Sequence, residues 1–362
     1  MSQPDLTHPR PELRRGRAAL SNRPGRFEAH DREAFADGWA EEDVPSPLRT
    51  EVQREAPRRI ITRNQSPDIG FDRSVNPYRG CEHGCIYCFA RPTHAFLGLS
   101  PGLDFETRLT VKPTAPDLLR KEISKPGYKV APIAFGTNTD VYQPIEREER
   151  IARGCFEVLQ AFGHPLTITT KGTLIERDID ILGEMGRAGL LRAAISLTTL
   201  DASLARSMEP RVPSPARRLK VIETLVQAGI PTTVSLAPVI PGLTDHEIEP
   251  ILQSAADAGA SAAMMILLRL PQEVSGLFRE WLEQARPLRA ARVLNRIRET
   301  HGGMDYDSSW QTRMTGQGTY AEFLHQRFRL SVKRLQLNIR PPPLRTDLFR
   351  VPPAKGDQLS LF

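Results

Sequence analysis

The chain has 362 residues, 40% of them hydrophobic and 25% charged, enough apolar material for a large core, so disorder throughout is excluded. Its longest apolar run, Ala262 to Leu268, is far short of the ~20 residues that cross a bilayer, and Met1 to Pro24 has no apolar signal segment, so a cytoplasmic setting is expected. A net charge of +6 permits an acidic partner such as nucleic acid, but no Lys/Arg block is long enough to mark a phosphate footprint.

Residues 1–58 are rich in Pro, Arg and Glu, with scattered apolar side chains, and read as a mostly disordered basic arm. A core is expected over 59–300. Its first strand falls near Ser74 to Tyr78, and a short one near Leu109 to Val111 sits outside the main sheet. Strand-type runs follow at Val130–Phe135, Leu166–Thr170, Arg192–Leu197, Thr232–Ala237 and Ala262–Leu268, each bounded by Gly or Pro.

Between these runs, apolar residues recur at helical spacing. Ile151, Cys155, Val158, Leu159 and Phe162 make one stripe; Ile175, Ile179, Leu182 and Met185 make the next, ahead of Gly189. Ser214 and Pro215 open a third helix carrying Leu219, Ile222, Leu225 and Val226, which Gly229 ends. Thr244 and Glu247 read as a capping box for a fourth. Phe278 to Arg298 reads as one long helix, 301–340 as a capping segment, and 341–362 as a Pro-rich tail. Strands without in/out alternation, separated by amphipathic helices, predict an α/β fold with a helix-covered parallel sheet. Six such units fit a full or partial barrel or an open doubly wound sheet, and periodicity does not separate them.

The chain has four cysteines, and three crowd into Cys81-Glu82-His83-Gly84-Cys85-Ile86-Tyr87-Cys88. That is too close for ordinary disulfide pairing and points to coordination. Thiolates bind zinc or iron clusters, and three on one loop fix three coordination points. A structural zinc needs a fourth protein ligand, for which His83 and His94 are the nearby candidates, although His83 in a short loop is expected to face solvent. A [4Fe-4S] cluster held by three cysteines leaves one iron open.

The segment CEHGCIYC fits the C-x3-C-x-aromatic-C signature of radical SAM enzymes, with Tyr87 in the aromatic slot. From NPYRGC through FARP to the TNTD and TTKG segments, the sequence resembles the spore photoproduct lyase-related branch, also called DNA repair photolyase-like. The resemblance covers about Ser74 to Pro271 and implies a partial (β/α)6 TIM-like barrel. It implies that Cys81, Cys85 and Cys88 hold three irons of a [4Fe-4S] cluster while S-adenosyl-L-methionine chelates the fourth. It further implies cofactor contacts at Tyr87, at Thr137, Asn138, Thr139 and Asp140, at Lys171, and at Ser196 and Thr198, all in the cysteine loop or following strand runs.

The implied activity is reductive cleavage of S-adenosylmethionine to a 5′-deoxyadenosyl radical. It needs an external flavodoxin- or ferredoxin-like electron donor and acts on an unassigned substrate, with DNA or RNA as a candidate class. The lyases donate hydrogen from a cysteine at the end of the second strand. Phe135 to Asp140 contains none, which puts thymine-dimer repair in doubt. Cys155 reads as a small buried hydrophobe on its helix stripe. Arg79, Arg91 and Arg108 are candidate phosphate contacts whose ordinary role would be solvated surface charge. The competing reading is a nucleic-acid-binding protein with zinc or an iron–sulfur cluster and no radical catalysis.

Overall fold

The computed structural model describes residues 16–28, 48–338 and 342–353. Ten strands appear in chain order: β1 (Glu51–Arg54), β2 (Ile61–Arg63), β3 (Arg73–Val75), β4 (Tyr78–Arg79), β5 (Arg108–Val111), β6 (Ile133–Phe135), β7 (Leu166–Thr170), β8 (Leu191–Ser196), β9 (Thr232–Val239) and β10 (Ala262–Leu267). The main sheet has the order β10-β9-β8-β7-β6-β3-β2. Its six strands from β3 to β10 are all parallel, and β2 pairs antiparallel on the β3 edge. This is the partial (β/α)6 arrangement, and it does not close, because β2 and β10 are its two edges. As the sequence suggested, β5 lies outside it, in a three-stranded sheet with β1 and β4.

The helices cover one face of the sheet because their stripes match its buried positions. Leu191, Ala193 and Ile195 of β8 bury against the same core as Ile181, Leu182 and Met185 of the helix Ile179–Arg187 and Val221, Ile222 and Leu225 of the helix Pro215–Gln227. Each such aliphatic side chain contributes about 1.5–3 kcal/mol on burial. Cys155 is fully buried in this core, as its stripe position predicted. The opposite face carries small or polar residues that are less buried, Thr167 and Thr169 on β7, Ala194 on β8 and Thr233 on β9, which leaves room inside the curved sheet.

Several local expectations change. Ser214 caps its helix, accepting the Arg217 N–H, but Thr244 and Glu247 form no capping box. The Thr244 hydroxyl accepts from Ile240 N, while the Glu247 carboxylate accepts from Thr199 Oγ1 and Leu200 N, tying the β8 and β9 loops together. The long helix is two, Glu273–Ala285 and Pro287–Glu299, since a proline inside a helix removes a donor and clashes with the preceding turn, whereas at its first position it costs nothing. The Met264–Leu268 run is not wholly core: β10 is the least buried strand of the parallel set, and Met264 is exposed.

The arm and tail also contribute packing. Within 1–58, Ala18 and Ala19 are buried and Glu51–Arg54 forms β1 against β5. From the tail, Phe349 packs on Tyr128, Phe162 and His164. The rest of those two readings, at 1–15, 29–47 and 354–362, lies outside the described residues, as do 339–341. Among the described residues no helix is long and apolar enough to cross a membrane.

Candidate active site

The cysteine loop leaves β4 at Gly80 and runs across the C-terminal ends of the parallel strands. Gly80 and Gly84 adopt φ of +76° and +65°, a region that side-chain-bearing residues rarely visit. A Cβ on Gly84 would also lie 2.7 Å from the Glu106 carboxylate. All three thiols are free, with Cys81 and Cys85 buried and Cys88 half-buried.

The loop is held from outside by Arg91, whose guanidinium donates to the carbonyls of Gly84, Cys85, Pro101 and Gly102 and pairs with Glu106 at 2.5 Å, both side chains being fully buried. The other Glu106 lone pairs accept from Ala18 N and Ala19 N, and Arg17 donates to the Glu106 carbonyl, so the N-terminal segment seals the back of the loop. Arg91 is therefore neither a phosphate contact nor a solvated surface charge. Arg79 and Arg108 are surface charges, paired with Glu55 and Glu51.

From inside, the β6 end holds the same loop. The Thr139 hydroxyl donates to Gly80 O at 2.7 Å, and the Gln143 amide donates to Thr139 and accepts from Glu82 N. Asp140 accepts from Tyr142 N and Thr170 Oγ1 on one oxygen and from Lys171 N on the other, which also lies 3.2 Å from His83 Nδ1. Burial would raise the Asp140 carboxyl, but the imidazole of His83 and these donors hold it down at about 2. His83 is thus buried and turned to Asp140, not to solvent. His94 is also buried, its Nε2 on the Arg108 carbonyl, so neither imidazole nitrogen used here is directed to a metal.

Among the remaining candidates, the Thr137 side chain bonds Asn76, and Asn138 donates its backbone N–H there. The side-chain amide of Asn138 makes no hydrogen bond among the described residues. Tyr87 points inward, where its hydroxyl donates to Glu209 and lies 3.2 Å from Thr198 Oγ1. Thr198 donates to the same carboxylate at 2.7 Å, and Glu209 pairs with Arg218, both ends fully buried. Arg218 also donates to Ser196 O at 3.0 Å.

Lys171 Nζ sits 5.8 Å from the Tyr87 ring centroid with no hydrogen bond among the described residues. Burial opposes its charge, but Cys85 and Glu209 outweigh that and keep the ammonium above its ordinary value. The structure therefore brings the cysteine loop together with the ends of β6, β7 and β8, as the sequence suggested. It turns Asp140, Thr139 and Thr198 towards protein partners.

Sequence reasoning missed Glu106, Gln143, Glu209 and Arg218. Only Arg218 left a signal, since it shares a helical face with Val221, Ile222 and Leu225 and so is a cation on an apolar stripe.

The donor set tests which group the thiols fit. Burial pushes the Cys81 and Cys85 thiols well above their ordinary range, so three thiolates here need a multivalent cationic partner. Among the described residues no three His, Cys, Asp or Glu side chains surround one ion, as a closed zinc site requires. Three separate ligation points on one loop fit a cubane cluster.

A parallel α/β sheet with a three-thiol loop across its strand ends defines an iron–sulfur enzyme class. The family model of the radical SAM superfamily matches residues 75–255. The chain belongs to that superfamily, whose enzymes use a [4Fe-4S] cluster and S-adenosylmethionine. An uncharacterized protein of Mycobacterium tuberculosis is 36% identical over 288 residues, covering 78% of this chain and 81% of that one. An uncharacterized protein of Methanocaldococcus jannaschii is 27% identical over 173 residues, covering 48% and 62%. Among solved structures, a spore photoproduct lyase mutant superposes with a TM-score of 0.53 at 17% identity, covering 79% of this chain and 80% of its own. Another lyase mutant, with bound AdoMet and dinucleoside spore photoproduct, gives 0.52 at 16% identity and covers 78% of each chain. These two likenesses show the fold.

Proposed function

We propose that Cys81, Cys85 and Cys88 ligate the cluster and that S-adenosylmethionine binds beside it against Tyr87, Asn138 and Lys171, with Thr137, Thr139, Asp140, Ser196 and Thr198 setting the walls. The observation that carries this reading is three free thiols on one loop, with an ammonium that makes no hydrogen bond among the described residues over the Tyr87 ring of that same loop. When bound, the cofactor pair supplies a 5′-deoxyadenosyl radical that abstracts hydrogen from substrate. The chain's part is to hold and shield. Lys171 offers a cation for a carboxylate, and the Arg91–Glu106 and Asp140 networks fix the loop.

Residues 59–300 form the catalytic core on this reading, and the capping segment expected at 301–340 meets β10 through Met314, Leu337 and Asn338. A nucleic-acid substrate is supported by the +6 charge and by the likeness to a lyase holding a dinucleoside lesion. Phe135 to Asp140, at the end of β6, contains no cysteine, so dimer repair with a thiol donor at that strand end is not assigned. An external low-potential electron donor completes the scheme.

The test is anaerobic reconstitution. Wild type should bind about four irons and four sulfides and form 5′-deoxyadenosine with dithionite; C81A, C85A and C88A should each lose cluster and product, by at least about a hundredfold in rate. One zinc without sulfide, or a full cluster without 5′-deoxyadenosine, would overturn the reading.

A further inference from the structure

The open side of the sheet carries a cation that the fold leaves unused. Arg269 follows β10 directly, and the chain on either side of it is fixed: Leu268 N donates to Val239 O, Leu268 O accepts from His301, and Leu270 is buried. Its guanidinium lies over the Phe89 ring, with Cζ 4.4 Å from the centroid. Among the described residues it makes no hydrogen bond and no ion pair. The nearest carboxylate, Asp68, is occupied by Arg313 through two bonds of 2.6 Å.

Phe89 adjoins Cys88, is 47% exposed, and so presents the stacked pair beside the cluster loop. The loop that meets β10 through Leu267 N and Met314 O also carries Trp310, 57% exposed. Burial disfavours charge on Arg269, so holding a guanidinium here without an anion has a cost that an incoming anion would relieve.

We propose that Arg269, packed over Phe89, binds a phosphate group of the substrate and places it next to the cluster loop. A guanidinium stacked on a ring keeps its edge free for bidentate phosphate binding. The half-exposed Phe89 ring beside it suits a base that accompanies a phosphodiester, which favours phosphate over an isolated carboxylate. The proposal rests on the radical-enzyme reading, since it makes this edge the substrate's entry to the site.

The test uses the reconstituted holoenzyme and fluorescence anisotropy with three labelled probes: single-stranded decathymidylate, its uncharged methylphosphonate analogue, and decaglutamate. Wild type should prefer decathymidylate. R269Q should weaken it about tenfold and reduce the slope of log affinity against log salt by about 0.7, one phosphate contact, while R269K restores part and F89L weakens binding without changing the slope. Methylphosphonate binding should be weak and indifferent to R269Q.

Equal affinity and slope for R269Q and wild type, or equal binding of the charged and uncharged oligomers, would overturn the proposal. So would tighter, Arg269-dependent capture of decaglutamate. If R269Q does not fold, the comparison of the two oligomers on wild type decides alone. Formation of 5′-deoxyadenosine in the same preparations separates the two conclusions: product without phosphate-dependent binding sinks only the subsite, and binding without product sinks only the radical reading.

Discussion

The two sides of the strand-end face are built differently. On the cysteine-loop side most charged groups are paired with protein groups, Lys171 excepted. Arg91 meets Glu106 and Arg218 meets Glu209 in fully buried pairs, and Asp140, 11% exposed, gathers Tyr142 N, Thr170, Lys171 N and His83. On the β10 side the strand is half-exposed and Arg269 has only a ring beneath it. A loop that must present three thiols to an inorganic group gains from rigidity, because ligand placement tolerates little error. An edge that admits a substrate needs free polar groups and room. Fixed and open halves on one face thus follow from what each half has to hold.

The comparison is broken most severely by removing the anion behind the loop. E106Q leaves Arg91 charged and without a counter-ion where neither side chain touches water, and losing one partner of a buried pair costs about 3–5 kcal/mol. Urea unfolding of the apo protein should show that loss, and the variant should take up iron poorly. A change under about 1 kcal/mol would mean that the loop is not held by this pair.

A smaller effect comes from Asp140 and depends on pH. Its carboxyl is held at about 2 against an ordinary 3.8, a difference of about 1.8 units or about 2 kcal/mol. A depressed pKa contributes stability that is present above the unfolded value, so it should be intact above about pH 5 and fade as pH falls through 3.8 towards 2. D140N should therefore be about 2 kcal/mol less stable than wild type at pH 7, the two converging near pH 2. A gap that stays constant with pH would show that the carboxylate's charge is not what stabilises the β6 end.

Much of the open framework and little of the clamp was legible in the sequence. Strands β7 to β10 and their helices announce themselves because burial forces apolar residues into periods, and Leu166–Thr170 matches its expected span. The thiol triple is readable because its spacing is rare. Glu106 and Glu209 are not, since a single charged residue in sequence gives no sign that its counter-ion lies elsewhere in the chain, and Arg218 shows only as a cation on an apolar stripe. Gln143 and His83 carry the same ambiguity: a polar residue near a loop looks solvated until tertiary structure supplies its partner. The Arg17–Ala19 segment was hidden for the opposite reason, because a short strap lying on a loop needs no periodicity to bury itself.

The weakest expected effect marks where the clamp ends. Arg108 stands next to the site in sequence and opens β5, yet its side chain and that of Glu51, its partner at 3.3 Å, are 44% and 73% exposed. Exposed pairs are worth about 0–1 kcal/mol, because water and salt screen the attraction and two long side chains lose freedom to form it. R108Q should shift the apo protein's stability by under about 0.5 kcal/mol and leave decathymidylate binding and its salt slope as in wild type. That makes it the control for R269Q, since it removes the same charge from an exposed, paired surface position. If R108Q weakened binding as strongly as R269Q, charge density over the whole face would set the affinity, and the division into a fixed half and an open half would lose its functional meaning.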